Sequence, residues 1–253
     1  MGRSKDLATG ETRFVNTAGD TMTGNLGINE TSPSGSLHVK GTSSTHGKII
    51  LEAGGSGGSA NNNFMEFNKH DGTKLGELEV GESVTNGGSL VFKTTPSGGS
   101  ATTRMTINHD GIMTKPSHPS FSAYINGGNP TITSNPTKIP YNAVRWDIGN
   151  NFDETNHRYI APVAGVYHFT VNHNVYGLSD DQYFRTRIYV NAASYALLGY
   201  IRARGGGDHT VNDSILINLS VADTVEVYTS SADTSYSLSA ANNWNSFSGF
   251  LVG

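Results

Sequence analysis

The clearest alternation of apolar and polar side chains lies near the middle of the chain. It is the run Gly165-Val166-Tyr167-His168-Phe169-Thr170-Val171. A period of two is the pattern of a strand with one buried face. Pro162 and Gly165 favour a turn at its start. The pattern therefore predicts a half-buried strand that is entered through a turn.

Similar short runs precede and follow that strand in the C-terminal part of the chain. They predict strands at Phe121–Ile125, Asn142–Ile148, Val166–His173, Phe184–Val190, Ala196–Ala203, Val211–Leu219, Thr224–Thr229 and Ser246–Val252. Clusters of Gly, Asn, Asp and Ser separate them as turns. No long stretch has apolar residues at helical spacing between caps. The predicted fold class is all-β.

The N-terminal half contains shorter candidate strands between Gly-, Ser- and Asn-rich turns. They are Leu37–Val39, Lys48–Glu52, Phe64–Phe67, Leu75–Val80, Leu90–Lys93 and Met105–Ile107. Strands with so little apolar surface cannot offset their ordering entropy in an isolated monomer. One interpretation is a disordered linker. The alternation in Leu75–Val80 favours the other, a β shaft in which several chains share one core.

Composition divides the chain into two parts. Of 253 residues only 35% are hydrophobic and 31 are glycine, which is little for one large core. Aromatic residues crowd after Phe121, and Pro116 and Pro119 favour an extended linker before it. We therefore expect a domain boundary at residues 115 and 116, with a self-sufficient core only after it.

Charge and residue usage argue against several classes of protein. No basic stripe is present, so nucleic acid is not an expected partner. No run of about 18 apolar residues is present, so membrane insertion is not expected. The start of the chain lacks the apolar core of a signal peptide, and without cysteine there is no disulfide framework. These features fit a protein made in a reducing cytoplasm.

The alternating strand belongs to a longer run with a characteristic spacing. Its residues are Phe152, Asp153, Thr155, Tyr159, Pro162, Gly165, Tyr167 and Phe169. This run resembles the signature of the globular head of complement first-component subunits: Phe-Asp, Thr-Gly-x-Phe, Pro and Gly-x-Tyr-x-Phe. Asn156 is assigned to the glycine position, since asparagine tolerates positive φ; Tyr159 keeps the ring of the family's phenylalanine.

Two further segments resemble the same family. Phe247–Val252 is similar to its closing strand, and Val221–Val225 is similar to its turn, with Ala222 where glycine is usual. The resemblance implies a jelly-roll β-sandwich, shared with the tumour necrosis factor superfamily, that assembles as a homotrimer. Some heads of this family carry Ca²⁺, but no ligand set here matches residue by residue, so no cofactor or metal residue is assigned.

The first half resembles other proteins, the tail fibres and tail spikes of bacteriophages. The matching segments are Gly19–Ile28, Thr31–Val39, Gly88–Pro96 and Arg104–Ile112. The resemblance implies a fibre with residues 1–20 as its attachment segment, residues 21–115 as a trimeric β shaft and residues 116–253 as the head. It also implies other virion proteins as partners at the N-terminus, and the virion as the location.

The chain shows no pattern typical of an enzyme. His168 and His173 lie five residues apart on one predicted strand, so they face opposite sides and form no chelating pair. No Gly-rich phosphate loop, nucleophile elbow or paired-acid spacing occurs. The acidic loop residues are interpreted as solvated side chains or, less simply, as a Ca²⁺ site. We expect a binding protein.

Strand parity predicts where binding takes place. If the first and last strands of the head pair antiparallel, both chain ends lie at one end, beside the shaft. The loops 174–183, 204–210 and 230–245 then lie at the other end, and the turns at Asn191 and Ala222 lie beside the shaft. The candidate receptor-binding residues in these loops are Tyr176, Asp180, Asp181, Asp208, His209, Tyr236 and Trp244.

The expected function is attachment of a bacteriophage to a glycan or protein of its host's surface. A capsid-decorating fibre would share the same head and differ in where residues 1–20 dock. A non-viral secreted lectin or signalling ligand, and a depolymerase spike, are alternatives. The missing signal peptide argues against the secreted protein, and the lack of a carboxylate pair argues against the depolymerase.

Overall fold

A computed structural model describes residues 26–28, 37–39, 51, 62–84, 87–133, 135–205, 207–241 and 244–253. Every regular element among these residues is a β-strand, as the alternation predicts. The chain divides into two compact units, residues 1–63 and 64–253.

In the first unit, β1 (Leu26–Ile28) pairs with β2 (Leu37–Val39) in parallel, with Leu26 opposite Leu37. The strand predicted at Leu37–Val39 is confirmed, and its partner was not foreseen. The strand predicted at 48–52 lies, apart from Leu51, outside the described residues, as does the attachment segment 1–20.

The next five strands form one antiparallel sheet in chain order. They are β3 (Asn62–Asn68), β4 (Lys74–Val84), β5 (Gly87–Thr94), β6 (Thr102–Ile107) and β7 (Met113–Thr114). Four of them contain the strands predicted for this region and are longer than the predictions. The gain in length comes from polar and glycine residues, which hydrogen-bond in the ladder without adding to the apolar pattern.

The two faces of this five-stranded sheet differ in chemistry. On one face, Leu78 lies opposite Phe92, which lies opposite Met105. On the other face, Glu77 lies opposite Lys93, whose Nζ is 2.7 Å from Glu77 Oε1. The Lys74 Nζ lies 2.6 Å from the second carboxylate oxygen. Because Phe92 remains 37% exposed, the apolar face is left partly uncovered by the described part of this chain.

The head is a sandwich of two sheets. The first sheet contains β8 (Ser120–Tyr124), β9 (Thr131–Ile132), β11 (Ala143–Ile148), β14 (Gly165–Tyr176), β17 (His209–Leu219), β19 (Tyr236–Leu238) and β20 (Ser246–Leu251). The second contains β10 (Thr137–Lys138), β12 (Phe152–Asp153), β13 (Arg158–Ile160), β15 (Tyr183–Val190), β16 (Ala193–Arg202) and β18 (Thr224–Ser231).

All eight strands predicted for the head are present, with ends that differ by a few residues. The order β11-β8-β20-β14 builds the first sheet, and β17 pairs along the other edge of β14. The order β13-β18-β15-β16 builds the second. The short strands β9, β10, β12, β13 and β19 were not foreseen, because two or three residues are too few to show a period.

Strand β14 is the centre of the sandwich and follows the predicted alternation. Tyr167, Phe169 and Val171 are fully buried, whereas His168 between them is only half-buried. The Phe169 ring packs against the rings of Tyr167 and Phe247. Gly249 on β20 lies against the same ring, so closely that a Cβ there would come within 2.6 Å of it. The ring of Tyr159, on β13 of the second sheet, packs against both Tyr167 and Phe169, so aromatic contacts join the two sheets in the core.

The two histidines of β14 face opposite sides, as the spacing predicts. His173 is completely buried, and its Nδ1 lies 2.9 Å from the hydroxyl of Thr186. Its Nε2 shares a hydrogen bond with the hydroxyl of Tyr141. His173 is therefore a satisfied polar residue of the core.

Candidate functional site

Strand register places the loops that follow β14, β16 and β19 at one end of the head, which we call the tip end. Val175 lies opposite His209, and Asn172 lies opposite Ser246. The end of β14 and the beginnings of β17 and β20 therefore lie together. The connections that follow β14, β16 and β19 meet there, as strand parity predicts. Loops on a rigid scaffold are the usual place for binding residues.

The opposite end, which we call the base end, carries both ends of the head. Phe250 lies opposite Ser120, so the first and last strands pair antiparallel. The amide of Val166 donates to the carbonyl of Gly253 over 2.9 Å. The turn at Ala222 lies at this end too, because Leu219 just before it is opposite Gly165. The turn at Asn191 lies beside it, because the Asn191 side chain donates to the carboxylate of Asp223 at 2.8 Å.

The acidic residues of the tip loops hold the loops to one another. Asp233 accepts from the amide of Ser179 at 2.8 Å and from its hydroxyl at 2.7 Å. Asp180 accepts from the amide of Gly205 at 2.9 Å. Asp181 lies 3.2 Å from Arg202 in an exposed ion pair. These contacts hold the loops in position. Because Asp180 and Asp181 are also exposed, their carboxylates remain accessible to a binding partner.

Three other predicted residues lie at the tip end with different exposure. Asp208 is exposed. Tyr176 is the last residue of β14 and is half-buried. His209 is the first residue of β17, also half-buried, and its Nε2 is buried without a hydrogen-bond partner.

Tyr236 is not a loop residue, and its assignment to the binding tip is wrong. It lies on β19 with 2% of its surface exposed and packs edge-on against Phe184. Its hydroxyl donates to Thr229 over 3.2 Å, and burial raises the pKa of Tyr236 to about 12. The strand went unseen because its three residues stand inside a Ser- and Ala-rich segment that predicts a loop.

Trp244 is exposed by 44% and is held in place by the residue after it. The buried Asn245 side chain accepts from the amide of Asn174 at 3.1 Å and donates to the carbonyl of Ser239. This clamp fixes the last tip loop to the end of β14. Asn245 was not foreseen, because a structural asparagine in a polar loop gives no sequence signal.

A cavity of about 200 Å³ opens beside Trp244, lined also by Asn172, Asn174 and Thr210. These polar residues were not foreseen either. Asn172 and Asn174 lie on the even-numbered face of β14, which alternation marks as facing away from the sandwich core. The signal that could have found them is this pair of amides on the outer face of the central strand, at its tip end.

The base half of the same outer face is apolar. Trp146, Leu216 and Phe250 are each about half-exposed on β11, β17 and β20 of the first sheet, with β8 and β14 between these strands. Phe250 lies beside His168, with ring centroids 5.3 Å apart. A second cavity, of about 260 Å³, is lined by Trp146, His168, Phe250 and their neighbours. Exposed apolar side chains that gather on one face are typical of interaction surfaces.

The outer face of the second sheet carries a cation–π cluster and a stacked pair of tyrosines. The guanidinium of Arg185 lies 4.2 Å from the ring centre of Tyr183 and 5.4 Å from that of Tyr200, within reach of cation–π attraction. Tyr189 stacks on Tyr228 nearby. These pairs hold the side chains flat on the sheet.

The described residues contain neither a cluster of metal-ligating side chains nor a membrane-spanning helix. Within them, no three His, Asp or Glu side chains come together in a way that could hold a metal ion. In the same part of the chain, no helix is long and apolar enough to cross a membrane. A Ca²⁺ site at the tip therefore gains no ligand set.

The jelly-roll order of strands and the spacing of residues 152–169 point to one family. Residues 120–252, more than half of the chain, match the C1q domain family. The chain belongs to this family. The resemblance to complement heads is confirmed.

Individual relatives are more distant. The uncharacterized protein YqcC of Bacillus subtilis is 30% identical over 99 residues, which cover 36% of this chain and 26% of that protein. The chain thus matches about a quarter of the relative's length. The globular domain of the zebrafish complement 1qA protein has 17% identity and a TM-score of 0.44, covering 53% of this chain and 98% of that one. Eiger TNF from S. frugiperda has 7% identity and a TM-score of 0.45, covering 54% and 94%.

The structure corrects one alignment inside the C1q signature. Asn156 is not in the left-handed region; His157 is, with φ of 54°. The family's glycine stands two residues before its phenylalanine, and Tyr159 fills the phenylalanine position, so the glycine position is His157. Asn156 instead hydrogen-bonds the carboxylate of Asp153, with its amide at 2.9 Å.

The C1q turn before β18 carries the second departure. Ala222 adopts φ of 68°, the conformation in which the family uses glycine. The amide of Ala222 donates to the carbonyl of Ala161 at 2.8 Å. This turn therefore holds an alanine in the left-handed region, which favours glycine.

Proposed function

We propose that the chain is a bacteriophage receptor-binding fibre protein that attaches the virion to a host surface through its C1q head. The observation that carries the proposal is the separation of the two ends of the head. Its chain ends lie at the base end, and the polar loops after β14, β16 and β19 lie at the tip end. A binding head on a stalk needs this polarity.

The head acts as a homotrimer in this proposal. Domains of the C1q and tumour necrosis factor type form homotrimers and bind receptors. In this chain, the half-exposed Trp146, Leu216 and Phe250 give the first sheet an apolar outer face. Fully burying a large apolar side chain contributes roughly 1.5–3 kcal/mol, so covering the exposed half of each of these contributes about half as much. Contact between copies at this face is the simplest way to remove them from water.

The shaft assembles as a trimer in this proposal for the same reason, the burial of an exposed apolar face. The apolar face of the five-stranded sheet, with Leu78, Phe92 and Met105 on successive strands, is partly exposed. Three copies that turn these faces toward one another would share one core. Residues 1–20 lie outside the described residues, and their docking to other virion proteins is part of the proposal.

The setting in a virion is supported by the sequence motifs between residues 19 and 112 that resemble tail fibres. The similarity to a protein of Bacillus subtilis fits a bacterial or phage setting. A capsid fibre would use the same head. A non-viral ligand is equally consistent with the C1q match, because family membership describes the head and not what carries it.

Two measurements test the proposal. Electron microscopy of virions labelled with an antibody against residues 116–253 should place the label on fibre ends, and its position on tail or capsid separates the two phage roles. The purified full chain, added first, should block adsorption of those virions to host cells. Recovery of the chain from culture medium without virions, together with no block of adsorption, would support the non-viral alternative instead.

A further inference from the structure

The cavity beside Trp244 lies where the sheet meets the tip loops. Asn174 lies opposite Thr210 in the β14–β17 ladder, and both side chains line the cavity. Asn172 lines it from two residues earlier on the same face of β14. A strand pair is a rigid support, so these three side chains have fixed positions relative to one another.

Two acceptors behind the cavity surface are buried without a donor. The amide oxygens Oδ1 of Asn172 and Asn174 have no hydrogen-bond partner among the described residues. Asn174 as a whole is 92% buried, since 8% of its surface is exposed. A buried carbonyl oxygen is unfavourable unless a donor reaches it. Since these oxygens are closed off, both asparagines present their amide N–H groups to the cavity, which suits a ligand that brings oxygen acceptors such as hydroxyl groups.

Trp244 supplies an apolar surface next to these amides. Its indole is 44% exposed, and the buried Asn245 fixes the neighbouring backbone. A flat aromatic ring packs well against the C–H face of another ring, and the residues around it can meet polar groups at the edge. Aromatic surface with a few placed polar groups is typical of small-ligand sites.

The lining also says which ligands do not fit. Asn172, Asn174, Thr210 and Trp244 carry no charge, so neither an anion nor a metal ion finds a counter-charge there. A neutral ring with hydroxyl groups at its edge and C–H groups on its face satisfies all four residues. The cavity, about 200 Å³, is of the scale of one such ring rather than of a chain segment.

We propose that this cavity binds one neutral sugar ring of a surface glycan, with Trp244 stacked on the ring and the side-chain amides of the two asparagines donating to its hydroxyl oxygens. The inference rests on the proposed attachment function and names its ligand class. The apolar half of the same sheet face, around Phe250, is left for contact between copies.

Direct titration tests the site. The unsubstituted full-length chain is titrated by isothermal calorimetry with a panel of methyl glycosides of hexoses, deoxyhexoses and N-acetylhexosamines in the millimolar range. At least one should give a saturable heat of binding. Asn174→Leu should weaken that binding tenfold or more, because it replaces a hydrogen-bonding amide by an apolar group of similar size.

Asn218→Leu is the matched control, since Asn218 is exposed on β17 opposite Val166 at the base end. It should bind like the parent. No saturable response to any glycoside overturns the proposal, as does equal binding by the Asn174 and Asn218 variants. A loss of oligomer mass in Asn174→Leu, without glycoside binding by the parent, would assign the cavity to a contact between copies. If the unsubstituted chain blocks virion adsorption and Asn174→Leu blocks it equally, the sugar site is wrong while the attachment function stands.

Discussion

The hydroxyl of Tyr141 and the Nε2 of His173 share a hydrogen bond inside the sandwich, where neither ring is exposed. The hydroxyl of Thr186 lies 2.9 Å from Nδ1, the other ring nitrogen of His173. A neutral imidazole can satisfy both neighbours, because one nitrogen accepts and the other donates. A protonated imidazole would carry a buried charge with no carboxylate partner among these contacts.

His173 should therefore make the head sensitive to acid. Burial lowers the pKa of His173 from 6.5 to about 3. In the unfolded chain the imidazole takes up a proton near pH 6.5, while the folded head resists it. The contribution of His173 is complete above pH 6.5 and is lost as the pH falls from there toward 3, at up to about 1.4 kcal/mol per pH unit.

The measurement is the free energy of unfolding in denaturant between pH 5 and 7, above the range where carboxylates titrate. His173→Gln should be less stable than the parent at pH 7 but should show a smaller slope over this interval. Parallel slopes for the two proteins would contradict a buried neutral histidine.

Two phenylalanines on neighbouring strands should separate folding from assembly. Phe169→Ala removes a fully buried ring and should cost about 3–5 kcal/mol of unfolding free energy. Phe250→Ala removes a ring that is 46% exposed on the apolar outer face. It should leave the β-sheet circular dichroism intact and shift the mass in light scattering from the trimer toward the monomer. Equal loss of folded structure in both variants would show that the outer face is not an assembly surface.

The domain boundary predicted at residues 115 and 116 can be tested by truncation. Residues 116–253 hold the aromatic core around Phe121, Phe169 and Phe247. Expressed alone, they should give a cooperative thermal transition. Residues 1–115 alone should not, since the apolar face of their sheet stays partly exposed. A cooperative transition in residues 1–115 and none in residues 116–253 would show that the core is misassigned.

The sequence predicts the long strands of the head well because apolar and polar residues alternate as the side chains point alternately into the core and out of it. Each second side chain of β14 enters the core, so Tyr167, Phe169 and Val171 could be assigned from period alone. The alternating direction of these strands then assigns each loop to one end of the head. The same reasoning fails at Tyr236, whose three-residue strand has no readable period and whose burial comes from contact with Phe184, far along the chain.

The cavity of the candidate site shows a second limit. Trp244 could be picked out as an aromatic residue in a loop, but Asn172 and Asn174 look like ordinary polar positions of an alternating strand. What distinguishes them is that their acceptors have no donor. That property depends on the register of β14 with β17 and on the clamp by Asn245, which local sequence does not encode.

The turn at Ala222 offers a stabilising change. Its φ of 68° costs an L-residue roughly 1–2 kcal/mol, whereas glycine adopts it freely. Part of this gain in stability is lost, because glycine also increases the conformational entropy of the unfolded chain. Ala222→Gly should therefore raise the unfolding free energy by about 0.5–1 kcal/mol. Ala232→Gly is the control, since Ala232 is exposed and does not have positive φ; it should be neutral or slightly destabilising. A decrease for Ala222→Gly would contradict strain at this turn.

Two aspartates that play the same part at opposite ends give the sharpest test of the binding face. At the tip end, Asp233 joins two loops by accepting from the amide and hydroxyl of Ser179. At the base end, Asp223 joins two turns by accepting from the Asn191 side chain at 2.8 Å and from the amide of Ser220 at 2.7 Å. Each carboxylate makes two charge-assisted hydrogen bonds near the surface.

Because the bonding is matched, Asp233→Ala and Asp223→Ala should have similar effects on thermal stability. They should differ in binding. Asp233→Ala frees the loop that carries Asp180 and Asp181 and should lower the ability of the full chain to block virion adsorption. Asp223→Ala loosens only turns at the base end and should block as well as the parent, with the same oligomer mass. The opposite result, with adsorption sensitive to Asp223 and indifferent to Asp233, would move the binding face away from the tip end and toward the base or the sides of the head.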